Sequence, residues 1–530
     1  ETPGVDANAG PLGQGVGMGV GMAVAETMLQ RDNKHYTYIL AGDGDLQEPI
    51  ALGAASLAGH WNLSRLIMFY DKNDIQIAGE TNRCDSTDYV QLFQSMNWNV
   101  QEIDGHDHNE IRNAIKKAKE SDKPSIIIGN TTIAKGSHSM ENKSESHGAP
   151  FSTKEIVMTK KNMGLPENEN FYCPDVVKKY FQRNFDKKIP SDCDIADLDI
   201  QNKLSKMPNI DFGNEIIATR KAFGMTLDEM AQHIPEIVGG SADLDGSNCT
   251  TNFANTYGDF SSSNPDGRNI AFGVREFPMG AILNGISLHC GLIPFGGTFL
   301  VFSDYVKSAI RLSAIQKLHV LYEFTHDSIF VGEDGPTHQP VEHLMSYRSI
   351  PDLLVIRPAD ANEAVVASKI AFENKNRPSL VLLTRQGLPV LDRNIYPDAH
   401  SIEKGGYIMS DCDNPDLMIL ATGSEVWVAL DVQEKLSDLN IKVVNLACWE
   451  LFDEQTKGYK DRVLSCTDET LIVSIEAGIT NGWQKYTGRY GLNIGIDSFG
   501  ESAPGKDVAS HFGLTPDKVC NTITKKLEEK

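Results

Sequence analysis

Apolar positions along the chain come in short runs separated by segments of helical length. The run at residues 36–41 ends in Gly42-Asp43-Gly44-Asp45, and a helical pattern over residues 49–60 leads to a second apolar run at 66–70. A helix near 108–119 and a strand at 125–128 follow. Strands alternating with helical segments predict parallel βαβ units, and in such sheets ligands sit at the carboxyl ends of the strands. From about residue 151 to 215 Lys, Asp, Asn and Pro become frequent, which reads as an extended interdomain connection. A second alternation predicts strands at 237–239, 270–274, 319–324, 353–356 and 379–384, and a third at 417–421, 443–447 and 471–475. The expectation is three α/β domains, over residues 1–200, 201–395 and 400–530.

Glycines at alternate positions from Gly13 to Gly21 superficially suggest a dinucleotide loop. That reading needs G-x-G-x-x-G after a strand. Met18, Val20 and Met22 occupy the third-glycine positions and no strand precedes them, so the stretch reads as a buried helix.

Composition narrows the functional classes. The 530 residues are 40% hydrophobic and 23% charged, enough apolar material for several cores. A formal net charge of -23 argues against nucleic acid or an anionic membrane surface as partner, since both draw affinity from basic groups. Any anionic substrate must therefore meet local Arg or His side chains. No apolar run is long enough to span a bilayer. The nine cysteines show no C-x-x-C pair or metal-ligand spacing and are expected as reduced thiols of a cytoplasmic protein. The chain opens with Glu1-Thr2-Pro3-Gly4 and lacks a signal-peptide pattern there, so it is expected to be a fragment or a processed product.

The sharpest local signal is Gly42-Asp43-Gly44 at one strand end and Asn73 at the end of the next. Adjacent parallel strands would bring the Asp43 carboxylate and the Asn73 amide oxygen together, a hard-oxygen pair suited to Mg²⁺ or Ca²⁺. Mg²⁺ is usually held by one or two protein oxygens while phosphates and water complete the octahedron, so the pair implies a diphosphate ligand. The flanking glycines let backbone N–H groups approach its oxygens. A plain G-D-G turn with an unrelated Asn is the alternative.

With Gly10-Pro11-Leu12-Gly13-Gln14-Gly15, Gly42-Asp43-Gly44-Asp45-Leu46-Gln47-Glu48 and His147-Gly148-Ala149-Pro150, the chain resembles the transketolase family over essentially its whole length. The resemblance implies two doubly wound, parallel-sheet domains binding thiamine diphosphate, followed by a C-terminal α/β domain of mixed sheet. It implies a homodimer with active sites at the subunit interface, phosphorylated sugar substrates, and transfer of a two-carbon ketol unit. Complete members carry a further N-terminal segment that contributes strands and histidines lining the substrate channel. Dihydroxyacetone synthase and a non-catalytic, regulatory transketolase-like subunit are the alternatives.

Residue by residue, the resemblance implies metal ligation at Asp43, Asn73 and Ile75. Cofactor contacts are implied at Gly10, Leu12, Gly44, Asn73, Ile133, His147, Asp243, Glu276, Phe299, Phe302 and Tyr305. Glu276, in Gly273-Val274-Arg275-Glu276, reads from position alone as a first-turn acid favoured by the helix dipole. By resemblance it is the carboxylate that hydrogen-bonds the aminopyrimidine. Phe299, Phe302 and Tyr305 are spaced for one helical face and would cradle that ring. His147 and His338 are the other implied catalytic residues. Arg220, Ser247, His326, Asp334, His338 and Arg385 are implied substrate ligands, the arginines because a guanidinium fork matches phosphate oxygens.

Overall fold

The computed structural model describes residues 5–30, 34–185, 199–213 and 215–529. They form two compact units, one comprising residues 1–197 with two short inserts and the other most of residues 198–530.

The first unit is built on four parallel strands, β1 (Thr37–Gly42), β2 (Leu66–Lys72), β3 (Asn99–Asp104) and β4 (Ser125–Asn130), in the order β1-β2-β4-β3. The glycine-rich stretch forms the helix Gln14–Leu29, packed on the helix Pro49–His60 and on β1. Its glycines serve close approach: a Cβ on Gly19 would lie 2.5 Å from the Ile39 side chain. The buried helix expected from the sequence is therefore present. On β1, buried Thr37, Ile39 and Ala41 alternate with exposed Tyr38 and Leu40. Tyr38, Leu40, Phe69, Ile111 and Ile127 line a cavity of about 610 Å³ that Asn73 and Ile133 also border.

The second unit carries two five-stranded sheets and a small antiparallel pair, Ile216–Ala218 with Gly387–Pro389. In the first, β5 (Ile237–Ser241), β6 (Ile293–Phe299), β7 (Leu321–Thr325), β8 (Leu354–Ile356) and β9 (Ser379–Leu383) run parallel in the order β8-β9-β7-β6-β5. All five strands are buried along their length, as a sheet covered on both faces requires. In the second sheet, β10 (Tyr407–Ser410), β11 (Leu417–Ala421), β12 (Ile441–Asn445), β13 (Leu471–Ile475) and β14 (Leu492–Ile494) follow the order β10-β12-β11-β13-β14. Only β10 is antiparallel to its neighbour, which makes this sheet mixed. One apolar core runs through both sheets, and buried Arg357 ties them by pairing with Asp327 and with Glu425.

Two local expectations change. Residues 270–274 do not form a strand; Asn269 and Ile270 make an isolated bridge and backbone bonds to Gly239, and the chain then turns at Gly273, whose φ is 64°. The strand in that part of the sheet is β6, which Pro294, Gly296 and Gly297 disguise in sequence. Within 151–215 the described residues hold the helices Thr153–Asn162, Asp175–Phe185 and Ile200–Ser205, so this connection is partly helical. No described helix is long and apolar enough to cross a membrane, and the described cysteines form no disulfide.

Candidate active site

In the first unit, the parallel register Gly42↔Asp71 sets the ends of β1 and β2 side by side. Asp43, buried at the start of the short helix Asp43–Gln47, accepts the Tyr70 hydroxyl at 2.8 Å and the Asn73 backbone N–H at 3.3 Å. The Asn73 side-chain oxygen in turn accepts the Ile75 N–H at 3.0 Å. Asp43, Asn73 and Ile75 thus form one cluster. A Cβ on Gly44 would lie 3.0 Å from the Leu12 side chain, so Leu12 and Gly44 also adjoin. Gly10 and His147 are exposed, without a hydrogen bond to this cluster.

The second unit assembles aromatic rings and cations. Phe299 ends β6, Phe302 lies in the turn that follows and Tyr305 in the helix Ser303–Ile315. These three therefore do not share one helical face, because the chain changes from strand to helix between them. Phe299 stacks on Phe302 with centroids 5.7 Å apart and on His326 at 3.7 Å, while Phe302 meets the His338 ring edge-on at 5.3 Å. Tyr305 is 67% exposed, and Asp243 and Asp334 are also exposed. Arg220, on the helix Thr219–His233, donates to the Ser247 carbonyl oxygen at 2.7 Å.

His326 is the hub of this half. It follows β7 with φ 59°, a left-handed conformation costly for a side-chain-bearing residue. Burial, then the charges of Arg220, Arg385 and His338, push its imidazole down to about 3, so the ring is neutral near pH 7. The Thr325 hydroxyl donates to Asn248 Oδ1 at 2.8 Å and lies 2.8 Å from His326 Nδ1. Having spent its one proton on Asn248, the hydroxyl accepts there, and the imidazole proton sits on Nδ1. Two cationic side chains that act on a neutral imidazole are chemically suited to holding an anion.

Glu276 opens the helix Glu276–His289 and is buried, but the preceding segment is a loop rather than the expected strand. Sequence reasoning passed over Glu323, a fully buried acid in the middle of β7. Its only signal was a charged residue inside an apolar run. It also passed over Asp304, Glu342 and His343, the described acid and histidine groups close enough to share an ion.

The comparisons with known proteins converge on one family. Residues 1–194 match the transketolase thiamine diphosphate binding domain, 215–390 the transketolase pyrimidine binding domain, and 405–515 the transketolase-like C-terminal domain. The chain belongs to the transketolase family. It is similar to the transketolase of Aquifex aeolicus, with 43% identity over 99% of this chain and 80% of the relative. That of Bacillus subtilis is likewise 43% identical, over 98% and 83%. Transketolase from Leishmania mexicana superposes with a TM-score of 0.92 at 37% identity, covering 100% of this chain and 82% of the other. A Pichia stipitis transketolase solved with sedoheptulose 7-phosphate gives 0.90 at 35%, over 99% and 82%.

The activity is therefore that of a transketolase, a thiamine diphosphate-dependent transferase. The dihydroxyacetone synthase and regulatory readings gain no support. The residues present fit the family's cofactor. Burial raises the pKa of Asp43, so its carboxylate lies where an added cation would be welcome, and the Asn73 amide oxygen beside it is a hard donor of the same kind. Burial likewise raises the pKa of Glu276.

Proposed function

We propose that the chain transfers a two-carbon ketol unit reversibly from a ketose phosphate such as xylulose 5-phosphate to an aldose phosphate such as ribose 5-phosphate. It would do so as a homodimer, with active sites at the subunit interface. The observation that carries the substrate class is the gathering of Arg220, Arg385 and His338 around neutral His326. Relatives crystallised with xylulose 5-phosphate and sedoheptulose 7-phosphate support it.

Asp43, Asn73 and the backbone oxygen of Ile75 would ligate Mg²⁺ or Ca²⁺ bound to the diphosphate, with Gly10, Leu12, Gly44, Ile133 and His147 beside it. Asp243, Phe299, Phe302 and Tyr305 would hold the aminopyrimidine ring. Thiamine diphosphate, when bound, supplies the nucleophilic carbon and the electron sink for carbon–carbon cleavage. Glu276 would hold a proton against the aminopyrimidine nitrogen, and its burial favours the protonated carboxyl. His338 would move protons at the substrate hydroxyl, and Asp334 would bind the hydroxyl beside the carbonyl. Arg220, Ser247, His326 and Arg385 would bind the phosphate.

A coupled assay of xylulose 5-phosphate with ribose 5-phosphate, run with thiamine diphosphate and Mg²⁺, tests this reading. Turnover is expected in the wild type, together with a KM rise in Arg385→Ala confined to phosphorylated substrates. An equal rise for unphosphorylated hydroxypyruvate would overturn the phosphate assignment.

A further inference from the structure

Glu323 lies in β7, a central strand of its sheet, paired with Gly297 of β6 on one side and Val381 of β9 on the other. It is 0% exposed, and neither carboxyl oxygen has a hydrogen-bond partner. Room for it comes from Gly297: a Cβ there would fall 2.5 Å from Glu323 Oε2, 2.7 Å from Asn248 Nδ2 and 3.0 Å from Ser241 Oγ. Those neighbours are already engaged with one another. Asn248 Nδ2 donates to Ser241 Oγ at 3.1 Å, Ser241 meets Thr250 at 3.0 Å, and Asn248 Oδ1 takes the Thr325 hydroxyl that touches His326. The carboxyl therefore borders an uncharged chain of hydrogen bonds that ends at the anion receptor.

The ionisable groups that reach Glu323 are Arg220 on the helix Thr219–His233 and Cys249 after the short helix Asp245–Asn248. Burial raises the pKa of the Cys249 thiol as well, so it brings no charge near neutral pH. Arg220 feels Arg385 in addition, and its own Nε is buried without a partner. An unpartnered buried carboxylate would be costly, and ionisation here would set a negative charge against the guanidinium that the phosphate needs.

We propose that Glu323 is a positioning residue for the substrate's phosphate, acting through Arg220: as a neutral buried acid it leaves the guanidinium's charge free for a phosphate dianion. Ionising Glu323 pairs that charge internally and weakens anion binding. Burial, which raises its pKa well above the ordinary carboxyl value, supports the neutral form near pH 7. This inference rests on the phosphate role of Arg220 given above.

Calorimetric titration of the full chain with sulfate, a dianion throughout the range, from pH 5.5 to 9 tests the idea on wild type, Glu323→Gln, Glu323→Val and Arg220→Ala. Wild-type affinity is expected to fall about tenfold along a one-proton curve as pH rises. Both Glu323 variants should lack that limb, and the isosteric Gln variant should stay at the tight end. Identical pH profiles in wild type and Glu323→Gln overturn the role of Glu323. Undiminished sulfate binding in Arg220→Ala overturns the reading of Arg220 itself, so the two failures are distinguishable. The valine variant guards against a folding defect peculiar to glutamine, and the pH profile would not respond to a merely structural role.

Discussion

The ring of Phe299 lies almost flat on that of His326, with centroids 3.7 Å apart and planes 23° from parallel. Phe299 ends β6 and His326 directly follows β7, Thr325 pairing with Phe299 in register, so the sheet itself sets the stack. Aromatic pairs contribute about 0.5–1.5 kcal/mol beyond the area they bury. Phe299→Leu keeps an apolar side chain but frees the imidazole to tilt. The KM for a phosphorylated ketose is expected to rise about threefold to tenfold. Unfolding midpoints measured alongside should fall only slightly, which would separate misplacement of His326 from general loosening.

A second histidine offers a stability test. His319 is 2% exposed just before β7, and burial pushes its imidazole from 6.5 down to about 4. Because the folded pKa is depressed, the unfolded chain binds the proton first. The stability that neutral His319 confers is complete above pH 6.5 and is lost as pH falls toward about 4. In that window its loss approaches about 1.4 kcal/mol per pH unit. His319→Leu should flatten the urea midpoint against pH between those limits. A curve as steep as wild type would place the acid sensitivity elsewhere, with depressed His326 the next candidate.

These contacts mark how far the sequence was readable. Asp43 and Asn73 were legible because parallel strands carry their ends to one edge, so two spaced polar residues after apolar runs suffice to predict a meeting. The mixed C-terminal sheet came with the family resemblance, and the strand expected from the pattern at 443–447 lies at Ile441–Asn445, since apolar runs spill into the loops that follow. β6 was hidden by its composition. Its Gly296 and Gly297 read as breakers, whereas a Cβ at the first would meet Leu283 at 2.5 Å and the second makes room for Glu323. Such glycines answer to neighbours distant in sequence, and local pattern carries no trace of them. The stacking of Phe299 on His326 and the edge-on contact of Phe302 with His338 were invisible for the same reason.

The Arg357 cluster gives a prediction about coupling. Its guanidinium, 1% exposed, donates to Asp327 at 2.8 Å, to Glu425 and to Thr422. Asp327 directly follows His326, so the pair links the C-terminal sheet to the anion receptor. Removing one partner of a buried pair costs about 3–5 kcal/mol, because the other charges stay buried. Arg357→Met should lower the urea midpoint accordingly and raise KM as well, since Asp327 loses its anchor. Adding Glu425→Gln should restore part of the stability by removing one uncompensated charge. No recovery in the double variant would mean that shape, rather than charge, sets the cost.

Asp43 provides the test for the metal. Its carboxylate already accepts Tyr70 and the Asn73 N–H, yet burial outweighs both and raises its pKa. A divalent cation must displace the proton that a buried acid holds more tightly than an exposed one, so metal affinity should fall as pH drops, and begin to fall at higher pH than for an exposed aspartate. Calorimetry of thiamine diphosphate with and without Mg²⁺ should show metal-dependent binding in the wild type that weakens as pH falls. Asp43→Ala should abolish the metal dependence. In Tyr70→Phe the carboxylate loses its 2.8 Å donor, so its pKa rises further and the acid limb of metal binding should move to higher pH. An unmoved limb in that variant would mean that the proton competing with the metal resides on another group.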